Sequence, residues 1–99
     1  MAILPISDKY NEYAENLLQL LNNYDIRGFV DDRNEKIGKK IRESELGKIP
    51  FMLIIGEKEA EANAVAVRRR GEGDLGSMSL ENFAALVNEA IEKELSTNV

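Results

Sequence analysis

The chain has 99 residues, 43% hydrophobic and 31% charged, with no histidine and no cysteine. That length makes one domain with a single modest core. The missing residue types remove the commonest general base, the thiol nucleophile, the usual zinc ligands and any disulfide, so a reducing cytoplasmic setting fits. No apolar run reaches the length of a membrane span, and the N-terminus lacks an export signal. The formal net charge of −5 argues against an anionic partner until its distribution is read. Residues 1 to 32 hold two basic and six acidic side chains, residues 33 to 70 hold ten and six, and residues 71 to 99 hold one and six. A basic island between acidic flanks localises an anionic partner better than the total suggests, although a solvated helix face beside a charged hairpin gives the same count.

Ala2 to Ile6 reads as a short first strand, and Ser7 or Asp8 can cap the helix after it. Tyr10, Tyr13, Ala14, Leu17, Leu18, Leu21 and Tyr24 recur at helical spacing. Asp25 to Gly28 turns the chain into a second strand at Phe29 and Val30, which ends in Asp31 and Asp32. Asn34 can cap a second helix with Ile37, Ile41 and Leu46 inward and Lys36, Lys39, Lys40 and Glu43 on the wetter side. Gly47 ends that helix, and Pro50 bars its return. Phe51 to Ile55 is continuously apolar, as a central strand covered on both faces would be. Gly56 to Asn63 reads as a polar turn. Ala64 to Val67 form a fourth strand running into Arg68, Arg69 and Arg70, and Gly71 and Gly73 mark a turn into a short strand at Leu75 to Met78. Ser79 caps a last helix whose buried stripe is Leu80, Phe83, Leu86, Val87, Ala90, Ile91 and Leu95. Strands alternating with helices, then a hairpin, predict a three-layer α/β domain with its first three strands parallel and the fourth antiparallel.

Little here suits catalysis. Asp31 and Asp32 are adjacent on a strand and point to opposite faces, which makes a poor acid/base pair. Gly71-Glu72-Gly73 lacks the strand–loop–helix setting of a phosphate-cradling loop. The serines have no histidine to activate them. Binding suits the residues better. Asn34 either caps its helix or presents donor and acceptor to a base edge. Lys36, Lys39 and Lys40 either contact phosphates or simply solvate their face. Arg42 either shares the face of Asn34 or pairs with an acid. Alternation sends Arg68 and Arg70 to one face of the sheet and Arg69 to the other. The arginine fork fits guanine O6 and N7, and a carboxylate such as Glu59, beside Lys58, can accept from guanine N1 and N2. Bases splayed from a single-stranded loop expose both edges.

Several strings carry a family resemblance: Asp32-Arg33-Asn34-Glu35-Lys36-Ile37-Gly38, Lys40-Ile41-Arg42-Glu43, Ile49-Pro50-Phe51-Met52-Leu53, Gly56-Glu57-Lys58-Glu59, Val65-Ala66-Val67-Arg68 and Asp74-Leu75-Gly76-Ser77-Met78. Over residues 2 to 95 the chain resembles the C-terminal anticodon-binding domain of threonyl-tRNA synthetase, a class II aminoacyl-tRNA synthetase. Prolyl, glycyl and histidyl enzymes have similar domains, but the first and last strings look like the threonyl branch. The resemblance implies a mixed five-stranded sheet flanked by three helices, and a role in holding the anticodon loop of threonine tRNA, whose second and third anticodon bases are G and U. By motif position it places Asn34, Lys36, Arg42, Lys58, Glu59 and Arg68 at the anticodon, with Glu59 and Arg68 on the central guanine and Asn34 on the uridine or its neighbour. Arg33, Lys39, Lys40 and Arg70 are candidates for the RNA backbone.

The strings of a catalytic core, with its ATP, magnesium and zinc sites and editing module, are missing. Residues 1 to 99 are therefore expected to be one domain of a larger synthetase, binding tRNA without charging it and needing no cofactor of its own. The parent is expected to be a homodimer and the isolated domain a monomer that docks on the parent's catalytic domain. The competing reading is a protein-interaction domain of the same fold, as in accessory subunits.

Overall fold

The computed structural model describes residues 1–97, with side chains through residue 90. The two apolar runs of the sequence become β1 (Ala2–Pro5) and β3 (Phe51–Ile55), which lie side by side and parallel at the centre of the sheet. β2 (Phe29–Val30) adds in parallel on the outer side of β1. β4 (Ala64–Arg69) and β5 (Gly73–Ser79) follow antiparallel beyond β3, giving the order β2-β1-β3-β4-β5.

Topology explains where the helices go. The chain moves outward from β1 to β2 and then back across β1 to β3. Two crossovers of the same right hand but opposite direction must place their helices on opposite faces. So α1 (Asn11–Asn22) joins the last helix, α4 (Leu80–Thr97), on one face, and α2 (Ile37–Leu46) takes the other. Ile3, Leu53, Ile55, Val65 and Val67 point to the first face, where they meet Ala14, Leu17, Leu21 and Phe83. Ala2, Leu4 and Met52 point to the second, against Ile37 and Ile41. The second face is only partly covered. α2 lies over β1, while Ala64 and Ala66 stay half-exposed and Ser77 exposed along β4 and β5.

The three layers, the parallel β1–β3 group and the antiparallel β4 are as the sequence predicts. Several local readings are corrected. Gly56 to Asn63 is not a plain turn but holds α3 (Glu57–Ala62), because Glu59 turns back to accept the Gly56 N–H at 2.9 Å and caps the helix start. Asn34 does not cap α2. That helix starts two residues later, with Lys36 at its N-cap position and no side-chain cap bond. Leu46 is 76% exposed rather than inward, at the last residue of α2. A 3₁₀ turn at Asp8–Tyr10 precedes α1, Ser7 makes no side-chain cap bond, and Tyr24 lies beyond the end of α1, exposed. Ser79 does cap α4, its hydroxyl accepting the Asn82 N–H at 3.1 Å. Ile91 and Leu95, expected in the buried stripe, lie outside the residues whose side chains are described.

Phe83 is fully buried and meets Phe51 edge to face, ring centroids 5.6 Å apart. Phe83→Ala should cost about 3–5 kcal/mol, a large part of the roughly 5–15 kcal/mol that stabilises a domain of this size. Leu46→Ala should change stability by less than about 0.5 kcal/mol. Urea unfolding followed by circular dichroism measures both.

Candidate nucleic-acid interface

The half-open face of the sheet is the natural place for a flat ligand. Its floor is built of small side chains, Ala64, Ala66 and Ser77, in register across β4 and β5. Arg68 stands on this face at the position paired with Met52 of β3. The register slips beside it: Val67 pairs with Gly76 and Arg68 with Asp74, so Leu75 is the extra residue of a β-bulge. Gly76 takes φ +90° there, a conformation that glycine accepts without steric cost. The Asp74 carboxylate accepts the Gly76 N–H at 2.8 Å and so is engaged within its own strand. The Asp-Leu-Gly-Ser string of the sequence is this bulge. Arg68 is left about one-third exposed, its Nη2 3.9 Å from Glu45 of α2 and its Nε buried with no hydrogen-bond partner among the described residues.

Strand alternation divides the three arginines as expected. Arg69 goes to the helix-covered face and lies over the Phe51 ring, 5.2 Å from its centroid. Arg70 returns to the α2 side, where its Nε donates to the Glu45 carbonyl at 3.2 Å. Arg42, Glu45, Leu46, Arg70, Gly71 and Gly73 line an open groove of about 570 Å³ at this end of the face. Arg42, Arg68 and Arg70 therefore gather around one end of α2, with Glu45 between them. Glu45 had no signal in the sequence beyond its place three residues after Arg42.

A second group sits at the other end of α2, past the carboxyl ends of β1 and β2. Asp31 is buried and accepts from Arg33 three times, at 3.3 Å from the backbone N–H and at 2.8 Å from each of Nε and Nη2. Arg33 Nη2 also meets Glu43 at 2.8 Å. Asn34 and Lys36 are exposed on the same segment. Lys39 is exposed and pairs with Glu35 at 3.2 Å. Such an exposed pair is worth only about 0.3–0.5 kcal/mol, too little to keep Lys39 from a phosphate. Lys40 is a correction. It is 2% exposed, and its ammonium donates to the carbonyls of Pro5 at 3.1 Å and Asp31 at 2.8 Å, so it does not reach an RNA backbone. Helical spacing aims it at the sheet beside Ile37 and Ile41, and the two strand-end carbonyls satisfy the charge.

Lys58 and Glu59 occupy the first turn of α3, not a loop. The Tyr13 hydroxyl donates to the carbonyls of both Glu59, at 3.1 Å, and Ala64, at 2.9 Å, so Glu59 is level with the start of β4. Burial, then the Glu59 charge, raises the Tyr13 pKa, keeping that hydroxyl a donor. Arg68 lies four strand residues further on, on the order of 13 Å. The two side chains do not touch, since Glu59 is turned toward Gly56 and Arg68 toward Glu45. The chain has no histidine or cysteine, and among the described residues no cluster of acids could hold a metal ion, so the donor set does not suit zinc. No described helix is long and apolar enough to cross a membrane.

A family model described as an anticodon binding domain matches residues 1–90. The chain belongs to the anticodon-binding domain family. It is 56% identical over 96 residues to the threonine–tRNA ligase of Bacteroides thetaiotaomicron, covering 97% of this chain and 15% of that protein. It is 53% identical over 95 residues to the threonine–tRNA ligase of Caldanaerobacter subterraneus, covering 96% and 14%. Among solved structures, the RNA binding domain of threonyl-tRNA synthetase from Cryptosporidium parvum superposes with a TM-score of 0.82 at 31% identity, covering 89% of this chain and 22% of that one. The chain thus spans about one-seventh of the length of the curated relatives it matches. In this anticodon-binding domain the candidate residues fall into two groups at the two ends of α2, with Lys58 and Glu59 on α3.

The hydrogen bonds from Arg33 hold the Asp31 carboxyl below its ordinary 3.8, and they outweigh the opposing effect of burial. A depressed folded pKa adds stability that is present above 3.8 and is lost as pH falls through the lower folded value. Asp31→Asn should therefore be less stable than the parent chain at pH 7. The gap should close as pH falls below 3.8, as followed by thermal unfolding across a pH series.

Proposed function

We propose that this chain is the C-terminal anticodon-binding domain of a threonine–tRNA ligase, and that it holds the anticodon loop of threonine tRNA on the open face of its sheet beside α2. The observation that carries the reading is Arg68: a guanidinium raised on a floor of small side chains, partly exposed, with a buried Nε that no group among the described residues satisfies. Buried donors in native proteins find partners, so a guanidinium whose Nε is unpaired is not locked in place by the described chain and can turn its exposed edge to a ligand acceptor. The 56% identity to a threonine–tRNA ligase over 97% of the chain supports the choice of tRNA.

On this reading, Arg68 donates to O6 and N7 of the central guanine, and Glu59 accepts from its N1 and N2 after leaving its helix cap. The base lies along the β3–β4 pair and bridges two residues that do not meet without it. Asn34 offers its amide to the uridine or its neighbour. Lys36, Lys39, Arg42 and Arg70 meet phosphates, and Lys58 extends the positive edge beside Glu59. Arg33 is held by Asp31 and Glu43 and offers the backbone only its outer edge. The domain catalyses nothing. The parent enzyme, cytoplasmic and homodimeric, joins threonine to tRNA with ATP, magnesium and zinc in its other parts, and this domain, monomeric when alone, docks on its catalytic domain.

A stem-loop with the threonine anticodon should bind more tightly than one whose central G is changed to C, by about 1–3 kcal/mol. Arg68→Ala should erase most of that preference. Lys39→Ala should weaken both complexes alike and reduce the slope of log affinity against log salt by about 0.7. Fluorescence titration at several salt concentrations reads all three, and equal affinity of the parent chain for both loops would refute the assignment.

A further inference from the structure

We propose that Lys40 is a positioning residue for RNA recognition: from the buried face of α2 it fixes the Asp31–Lys36 segment so that Asn34 and Lys36 are presented in one orientation. The inference rests on the anticodon reading above, because it takes Asn34 as a base contact.

Burying the Lys40 ammonium is costly. The Lys40 ammonium is 2% exposed, and among the described residues no carboxylate lies within ion-pair distance of it. An apolar side chain of the same length would fill this place without desolvating a charge. What the lysine adds is a pair of hydrogen bonds. They go to the carbonyls of Pro5 and Asp31, at the carboxyl ends of two parallel strands, and the second of these opens the segment that leads to α2. The Asp31 side chain takes hold of the same segment from the other direction through the N–H and guanidinium of Arg33.

Arg33 is anchored in turn to Glu43, which lies one helical turn beyond Lys40 on α2. One helix therefore grips a stretch without regular structure at two points three residues apart. Within the stretch, Glu35 N–H donates to the Arg33 carbonyl at 2.9 Å and tightens the bend. Asn34 and Lys36 are the exceptions: both are exposed, and neither side chain has a hydrogen bond to the rest of the described chain. The backbone is restrained and the two RNA-facing side chains are left free, an arrangement that lowers the ordering entropy a ligand must overcome.

The test is a thermodynamic cycle with an exchange measurement beside it. Lys40→Met keeps the length and apolar stem and should fold normally. Its affinity for the threonine stem-loop should fall about tenfold, the worth of one amide–base contact. In that background Asn34→Ala should cost almost nothing further, whereas Arg70→Ala, at the far end of α2, should cost as much as it does in the parent chain. Without RNA, amide exchange at Arg33 and Glu35 should quicken in Lys40→Met. Glu43→Gln cuts the second anchor at the surface and should move the same amides and couple to Asn34 in the same way, so it carries the test if Lys40→Met unfolds. Unchanged exchange, or full additivity with Asn34→Ala while the parent chain binds its stem-loop, would overturn the positioning role alone. Failure of the parent chain to bind any stem-loop would overturn the anticodon reading and the RNA role of Lys40 with it.

Discussion

The two-residue alternation of β3 and β4, set against two faces that are unequally covered, is the constraint on which everything else depends. One set of side chains, Leu53, Ile55, Val65 and Val67, goes under α1 and α4 and forms the larger core. The other set meets α2, which lies over β1 and touches β4 only through Glu45 and Arg68 at its end, so the floor of β4 and β5 stays open. A slip of one residue in β4 would carry Arg68 under α4 and Val67 into the open. The hydrophobic demand of the larger core thus fixes the register, and the register puts a guanidinium on the open floor. The bulge at Leu75 and Gly76 sits opposite that residue, where local twist changes the direction in which a side chain points.

Electrostatics completes what geometry begins. A net charge of −5 is a poor starting point for an RNA-binding chain. Near the open face, however, much of the acid is already engaged. Asp31 and Glu43 hold Arg33, Glu45 lies beside Arg68, and Asp74 closes its own bulge. The cations are distributed with some economy. Arg69, on the covered face, lies over an aromatic ring, and Lys40 satisfies strand-end carbonyls. Lys36, Lys39, Arg42 and Lys58 remain at the surface.

Much of this arrangement was legible in the residues. The unbroken run Phe51–Ile55 can only be a strand buried on both faces, and the stripes of α1 and α4 repeat at helical spacing. Alternation alone separated Arg69 from Arg68 and Arg70. Lys40 departs from the expectation that charge on a surface helix points outward. A lysine in the inward phase beside Ile37 and Ile41 was the available signal, and the partners that make its burial tolerable are backbone carbonyls, which no sequence pattern displays. α3 was hidden because Glu57–Ala62 is only six residues long and carries no large apolar side chain to mark a helical stripe, and it is stabilised by a local cap from Glu59 and by Tyr13 from a distant helix. The end of α2 differs for a simpler reason: Leu46 lies nine residues after Ile37, about 180° round the helix and out of the inward phase that Ile37, Lys40, Ile41 and Ser44 share. Glu45 was missed because its significance comes from its position between Arg68 and Arg70, which only the tertiary fold creates.

The proposed anticodon role requires RNA to meet the half-covered face and to leave the helix-covered one alone. Amide chemical-shift mapping of the isotope-labelled chain, titrated with the threonine stem-loop, tests this most directly. The predicted result is a set of perturbations along residues 33–36, at Arg42 and Lys58, and across 64–70 and 74–77, with α1 and the exposed end around Leu20, Tyr24 and Phe29 unmoved. Perturbations gathered on α1 and α4, with β4 and β5 silent, would contradict it.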